Sequence, residues 1–295
     1  MKLLITGASG LFGSKMAETA AAGGYEVYSG YSQDYPAYGA PLRFDITEKT
    51  SVEKAFSEAV PDVVVHAATL TDVDKCEVNK ELAWKINVEG TKNIVEAAKK
   101  SRAFVVYVST DYVFNGEKGN YKELDPPSPL NYYGLTKLKA EELVQNTLEE
   151  CCVVRASVIY GAQPAAGKVN FALWLINKLE SKEPPKVLVD QWNSPTLNTN
   201  MANMTLEIIE RRLTGTYHVS GATRISRYEF AKELARTFHL NADMIVPATM
   251  AQFSWPAKRP KDSSLETAKA QQTLKNKPMQ TQQALEQLKK ELTKQ

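Results

Sequence analysis

Three glycines spaced three apart constrain this chain more than any other feature. Gly7, Gly10 and Gly13 follow the apolar run Lys2-Leu-Leu-Ile-Thr6, and a helical pattern continues from Leu11 to about Ala22. A strand that turns through Gly-x-x-Gly-x-x-Gly into a helix is the frame in which a dinucleotide rests its diphosphate on a helix N-terminus. Gly7 permits the tight turn, Gly10 lets the diphosphate approach the backbone, and Gly13 lets helix and strand pack closely. Leu11 and Phe12, between the glycines, join them as predicted cofactor contacts. Such a unit belongs in a parallel sheet with crossover helices.

The next stretch continues that alternation. Strands are expected over residues 25–29, 42–44, 62–66 and 104–108, and helices over 48–59 and 82–100. After the second strand, Ser29-Gly-Tyr-Ser32 carries no acid before Asp34. A carboxylate there would hold the ribose hydroxyls of NAD and repel a 2′-phosphate, so its absence leaves room for NADP, though no arginine stands in this stretch to require it. Asp45 and Ile46 form a rim for the adenine, and Ala67, Ala68 and Thr69 let a cofactor lie against the backbone. His66 reads as a packed, neutral histidine, and residues 71–77 read as a solvated charged loop. Asn87 sits on an apolar helix face and needs its amide satisfied by nearby backbone.

Chemistry enters with Ser109-Thr-Asp-Tyr-Val-Phe-Asn-Gly116 and Tyr133-Gly-Leu-Thr-Lys137. Thr110 falls at a strand end, the edge where open α/β sheets place ligands. Tyr133 and Lys137 lie one turn apart on one face of a helix expected over residues 131–149. A hydroxyl, a phenol and an ammonium so placed can polarise and protonate a carbonyl, the cation drawing the phenol below its usual pKa. The proline-bearing loop 115–131 is long enough to form an active-site rim.

Beyond residue 151 the alternation weakens. A buried strand at 152–157 leads to Val158-Ile-Tyr-Gly161, with helices expected at 170–179, 201–212, 226–238 and 281–292 and strands at 187–189 and 216–219. Ser226 and Glu229 form a capping box, and the last helix reads as mostly solvated. The expected architecture is a doubly wound α/β domain of the Rossmann type with a smaller C-terminal substrate-binding lobe. The first takes residues 1–160 plus elements returning around 200–238; the lobe takes 161–199 and 239–295.

Composition narrows the function. A formal net charge of +2 gives no electrostatic case for nucleic acid or an anionic membrane, and no apolar run is long enough for a membrane span. The amino-terminal run is too short for a signal sequence. Cys76, Cys151 and Cys152 have no metal-ligand spacing and read as reduced thiols of a cytoplasmic protein. No metal is expected.

Together these segments resemble the extended short-chain dehydrogenase/reductases, and among them the dTDP-4-dehydrorhamnose reductase branch. The specific marks are Ser109–Gly116, Val73-Asp-Lys-Cys-Glu77, Tyr133–Lys137, Asp190-Gln191 with Pro195-Thr196, and Arg259-Pro260 before Ser264-Leu265. The resemblance implies an NADPH- or NADH-dependent reduction at C4 of a 4-keto-6-deoxysugar nucleotide, with Thr110, Tyr133 and Lys137 catalytic. It adds Thr71, Val108, Tyr133 and Lys137 to the cofactor contacts. It places Thr110, Asp111, Tyr112, Val158, Asn170 and Arg259 at the substrate, Arg259 toward the nucleotide end. Two departures stand out: the rhamnose reductases carry tryptophan where this chain has Val158, and their glycine loop often reads Gly-Gln after the second glycine, whereas here Leu11-Phe12 follows Gly10. Alternatives are an NAD-dependent nucleotide-sugar epimerase or dehydratase, and a non-catalytic regulatory subunit like that of methionine adenosyltransferase. The resemblance leaves the oligomeric state open, a homodimer included.

Overall fold

A computed structural model describes residues 1–164 and 169–293. Seven parallel strands form the central sheet: β1 (Lys2–Thr6), β2 (Glu26–Tyr31), β3 (Ala40–Arg43), β4 (Val63–His66), β5 (Phe104–Thr110), β6 (Cys151–Ala156) and β7 (Gly215–His218). Their spatial order is β3-β2-β1-β4-β5-β6-β7. Every pairing is parallel, with Thr6 opposite Gly30 on one side and His66 on the other. The order reverses between β1 and β4, the switch point at which such sheets bind ligands.

The central strands are apolar because both faces are covered. On one face α1 (Leu11–Ala22) and α5 (Asn198–Glu210) pack on Leu3, Ile5, Val65, Val106 and Val154. On the other, α2 (Lys49–Ala59), α3 (Gly90–Ser101) and α4 (Tyr132–Thr147) pack on Leu4, Val64, Val105, Tyr107 and Val153. Alternate residues of one strand thus serve opposite cores, as a two-residue period demands. A third core holds Tyr160, Leu175, Leu197, Phe230, Leu234, Leu285 and Leu288. The helix Arg227–Thr237, read from sequence with the sheet, contributes to this third core, and its capping box forms as expected.

Three readings need correction. Residues 71–77 are not simply a loop: Val73–Val78 is a short helix, begun by the Asp72 carboxylate accepting from the Lys75 amide at 3.0 Å. The expected helix 82–100 is a helix Lys80–Trp84, a π-helical turn Lys85–Glu89 and then α3. The final helix, Thr281–Leu292, exposes Gln282, Gln283, Glu286 and Lys290 but also buries Ala284, Leu285 and Leu288 in the third core, a face the solvated reading left out.

Candidate active site

At the C-terminal ends of β1 to β5 opens a cleft of about 1300 Å³. Its floor is the glycine turn. Gly7 adopts φ +69°, and a Cβ on Gly13 would come within 2.1 Å of the Gly7 carbonyl oxygen, so α1 meets β1 without side chains between them. Gly10 begins α1 without a side-chain cap, and no acid stands in the first turn. That leaves the leading amides and the positive end of the helix dipole for an anion, which is what a dinucleotide diphosphate requires. The buried Ser109 hydroxyl also lines the cleft and has no hydrogen-bond partner in the structure.

Every cofactor contact expected from sequence lines this cleft: Gly7, Gly10, Leu11, Phe12 and Gly13 at the floor, Asp45 and Ile46 on one side, Ala67, Ala68, Thr69, Thr71 and Val108 on the other. Thr110, Tyr133 and Lys137 lie on the same wall. Their meeting has a local cause. Asn131 caps α4 by accepting from the Gly134 amide at 2.8 Å and donates to the Lys258 carbonyl at 2.9 Å. A Cβ on Gly134 would stand 2.2 Å from the Tyr112 carbonyl oxygen, so this glycine lets the first turn of α4 press on the end of β5. Glu77 accepts from the Tyr132 amide at 2.8 Å, which gives the short helix Val73–Val78 a use.

Asn87 is satisfied as its position demanded. Its carboxamide oxygen accepts from the Leu70 amide and the Thr69 hydroxyl, both at 2.8 Å. Its nitrogen donates to Thr136 Oγ1 at 3.0 Å, and Thr136 donates to the Tyr133 carbonyl at 2.8 Å. The π-turn carries this asparagine, a feature often found where helices are bent toward function.

Burial governs the protonation of the site. It pulls Lys137 down to about 7, against the opposing charge of Glu141. It raises the Tyr133 phenol above its usual value, against a hydrogen bond with Thr110. The expected lowering of the phenol by the lysine is therefore absent here: loss of hydration raises it, the Asp111 charge acts in the same direction, and only the hydrogen bond with Thr110 opposes them. His66 is neutral as read, pulled by burial down to about 3. Thr91 Oγ1 already donates to the Asn87 carbonyl, so it accepts from His66 Nε2–H, and Nδ1 accepts from Thr6.

The substrate-side residues divide. Asp111, Val158 and Asn170 line the cleft; Tyr112 and Arg259 do not. The buried Asp111 carboxylate accepts from Thr110, Ser157 and Ser263. The Tyr112 ring stands edge-on to Tyr133 at 6.1 Å. Arg259 is bound to Asp74 at 2.8 Å and lies over the Trp255 ring at 5.7 Å. The Asn170 amide is engaged with its own helix and with the carbonyls of Gly161 and Gln163. Val158 adopts φ +40°, a left-handed conformation unusual for a β-branched residue. The loop 115–131, expected as a rim, contributes no lining residue. It packs instead on the C-terminal segment, where Tyr121 donates its amide to the Ser264 carbonyl at 2.9 Å. Arg43, at the end of β3, does line the cleft and went unnoticed in the sequence.

Among the described residues no helix is long and apolar enough to cross a membrane, and no group of His, Cys, Asp and Glu could hold a metal ion.

Known proteins match this chain along nearly its whole length. The dTDP-4-dehydrorhamnose reductase of Aggregatibacter actinomycetemcomitans is 31% identical over 297 residues, covering 96% of this chain and 97% of that one. Methionine adenosyltransferase 2 subunit beta of Xenopus tropicalis is 31% identical over 256 residues, covering 84% and 75%. The crystal structure of dTDP-4-dehydrorhamnose reductase from Bacillus anthracis in complex with NADP superposes with a TM-score of 0.89 at 30% identity, covering 99% of this chain and 100% of that one. The profile of the RmlD substrate binding domain matches residues 1–294, and the chain belongs to that family, the family of the dTDP-4-dehydrorhamnose reductases.

Proposed function

We propose that this protein is an NADPH- or NADH-dependent reductase of a nucleotide-linked 4-keto-6-deoxysugar, of the dTDP-4-dehydrorhamnose reductase type. One observation carries the reading: Thr110, Tyr133 and Lys137 share a wall of the cleft whose floor is the glycine turn. When bound, the reduced nicotinamide supplies the hydride that the keto carbon receives. Thr110 turns its hydroxyl from Asp111 toward the carbonyl oxygen and stabilises the charge that grows there. Tyr133 gives that oxygen its proton. Lys137 holds the nicotinamide ribose and favours the phenolate as the phenol loses its proton. Gly7, Gly10 and the leading amides of α1 hold the diphosphate of the cofactor.

On the substrate side we assign Thr110, Asp111, Tyr112, Val158, Asn170 and Arg259, with the smaller C-terminal lobe binding the sugar nucleotide. Arg259 would exchange Asp74 for the substrate diphosphate, which guanidinium binds through paired hydrogen bonds. The three cysteines are buried and none forms a disulfide, which supports a reducing, cytoplasmic setting.

The test is the loss of NADPH fluorescence with a panel of keto-sugar nucleotides, dTDP-4-dehydrorhamnose among them. Oxidation of NADPH only in the presence of a keto sugar is expected. No turnover on any member would overturn the reductase reading in favour of a non-catalytic role. Copurified NAD that is never consumed would favour an epimerase.

A further inference from the structure

The cleft has two ends, and the chemistry assigned above uses one. The diphosphate floor lies over β1, and Thr110, Tyr133 and Lys137 lie toward β5 on one side of it. The adenosine half of a dinucleotide must then extend the other way, over the ends of β2 and β3. Those ends are held side by side: Tyr31 pairs with Arg43, and the Phe44 amide donates to the Tyr31 carbonyl at 2.9 Å. A Cβ on Gly30 would come within 2.6 Å of the Phe44 ring, so β2 and the chain after β3 are in close contact at this edge.

The wall made there is polar and lacks an acid at the first positions after β2. Ser32, Gln33, Asp34 and Arg43 line it. Arg43 is exposed, it is the one arginine among the described residues that line the cleft, and no carboxylate among the described residues pairs with it. An exposed guanidinium at the rim has five donors in a planar fork, and among the described residues none of them is engaged. We infer that Arg43, reaching the adenosine ribose from the neighbouring strand β3, is the residue that recognises the 2′-phosphate of NADP and sets the preference for NADPH over NADH. The inference rests on the reading of the cleft as a dinucleotide site. The second strand of a dinucleotide fold is the usual source of this selectivity; here β2 supplies only the space, and β3 supplies the charge.

Direct titration calorimetry with NADP⁺ and NAD⁺, without any sugar, tests this independently of turnover. Adenosine 2′,5′-bisphosphate and adenosine 5′-monophosphate serve as probes of the adenosine end alone. The parent protein is expected to bind the 2′-phosphorylated member of each pair more tightly. Arg43→Ala should lose about tenfold or more in affinity for NADP⁺ and for the bisphosphate, the scale of a charge-assisted contact. NAD⁺ and the monophosphate should change by less than about twofold, within what loss of a rim side chain does to a ligand it does not touch. Arg43→Lys, which keeps the charge without the fork, should fall between. Arg43 is exposed, so circular dichroism should show each variant folded like the parent. Equal loss for both dinucleotides, loss confined to NAD⁺, or unchanged NADP⁺ affinity in Arg43→Ala would overturn the assignment alone. Failure of the parent to bind either dinucleotide would overturn the cofactor reading with it.

Discussion

The Lys137 ammonium donates to the Val108 carbonyl oxygen at 2.7 Å, so the helix that carries Tyr133 is pinned to the strand that carries Thr110. The same ammonium stands 4.2 Å from the centre of the Tyr107 ring. Its charge is thus held by a carbonyl and an aromatic face, with no carboxylate in contact among the described residues, and burial pulls its pKa down to about 7.

Lys137→Met should damage cofactor binding and turnover together, because the same ammonium is assigned to the ribose and to the phenol. Stability should respond oppositely. The folded pKa lies below the unfolded one, so between pH 7 and 10 the unfolded chain holds the extra proton and the parent gains stability as pH rises. The parent-minus-variant difference in unfolding free energy should climb by up to about 1.4 kcal/mol per pH unit in that window. A flat difference in denaturant titrations across it would mean that Lys137 keeps an ordinary pKa.

Tyr133→Phe removes one oxygen and keeps the ring against Tyr112. General acid catalysis contributes roughly 10²–10⁴-fold, so kcat should fall by that much while NADPH affinity barely moves. Tyr132→Phe is the control, since only Tyr133 stands one turn before the lysine. Full activity in Tyr133→Phe would remove the phenol from the mechanism.

His66 gives an acid-side signature. Its folded pKa is about 3, so between pH 6.5 and 3 the unfolded chain binds a proton that the folded chain refuses, and stability is lost as pH falls. His66→Gln should flatten that part of the profile by up to about 1.4 kcal/mol per unit. Identical acid limbs for parent and variant would contradict a histidine held neutral between Thr6 and Thr91.

What could be read in advance was local. The glycine turn, the strand that ends at Thr110 and the Tyr133–Lys137 spacing each lie within a dozen residues, and each formed where it was read. Features that depend on distant pairing stayed hidden. Arg43 reaches the cleft only because β3 pairs with β2, and Arg259 meets Asp74 across 185 positions of chain. The π-turn was invisible because one added residue hardly disturbs a helical period. Loop 115–131 looked like a rim by length alone, and what decides its place is Tyr121 stacked on Phe114 at 4.2 Å and bonded to Ser264.

Asn87→Ala tests whether the site is positioned from behind. Thr136 receives the Asn87 amide and passes a hydrogen bond to the Tyr133 carbonyl, so losing the asparagine should loosen the turn that aims the phenol. The expected result is a fall in kcat with a smaller change in KM, and about 1–3 kcal/mol of stability lost as the Leu70 amide loses its partner. Asn87→Asp, which keeps the acceptor for Leu70 and Thr69 but not the donor to Thr136, should recover part of the stability and little of the turnover. Equal loss of kcat and stability in both variants would reduce Asn87 to a packing residue.

The buried pair Arg155–Glu141 ties β6 to α4 beneath the site, with side chains only 5% and 2% exposed. The guanidinium reaches both carboxylate oxygens, at 3.0 Å through Nε and 2.7 Å through Nη2, and lies 5.1 Å from the centre of the Phe114 ring. Such a pair contributes less than its geometry suggests, because both ions gave up their hydration to form it. Removing one partner is different, since the other is left buried with its charge uncompensated. Arg155→Met should therefore cost about 3–5 kcal/mol of stability, and Glu141→Leu a similar amount. The double variant should lose less than the sum, and less than either single change if the two apolar side chains fill the space. Neither residue lines the cleft, so any change in turnover should come through Lys137, whose ammonium loses the opposing charge of Glu141. Unfolding in urea, with a double-mutant cycle, measures the coupling directly. Additive losses would show that the two side chains act independently and that the sheet, not the ion pair, holds α4 in place.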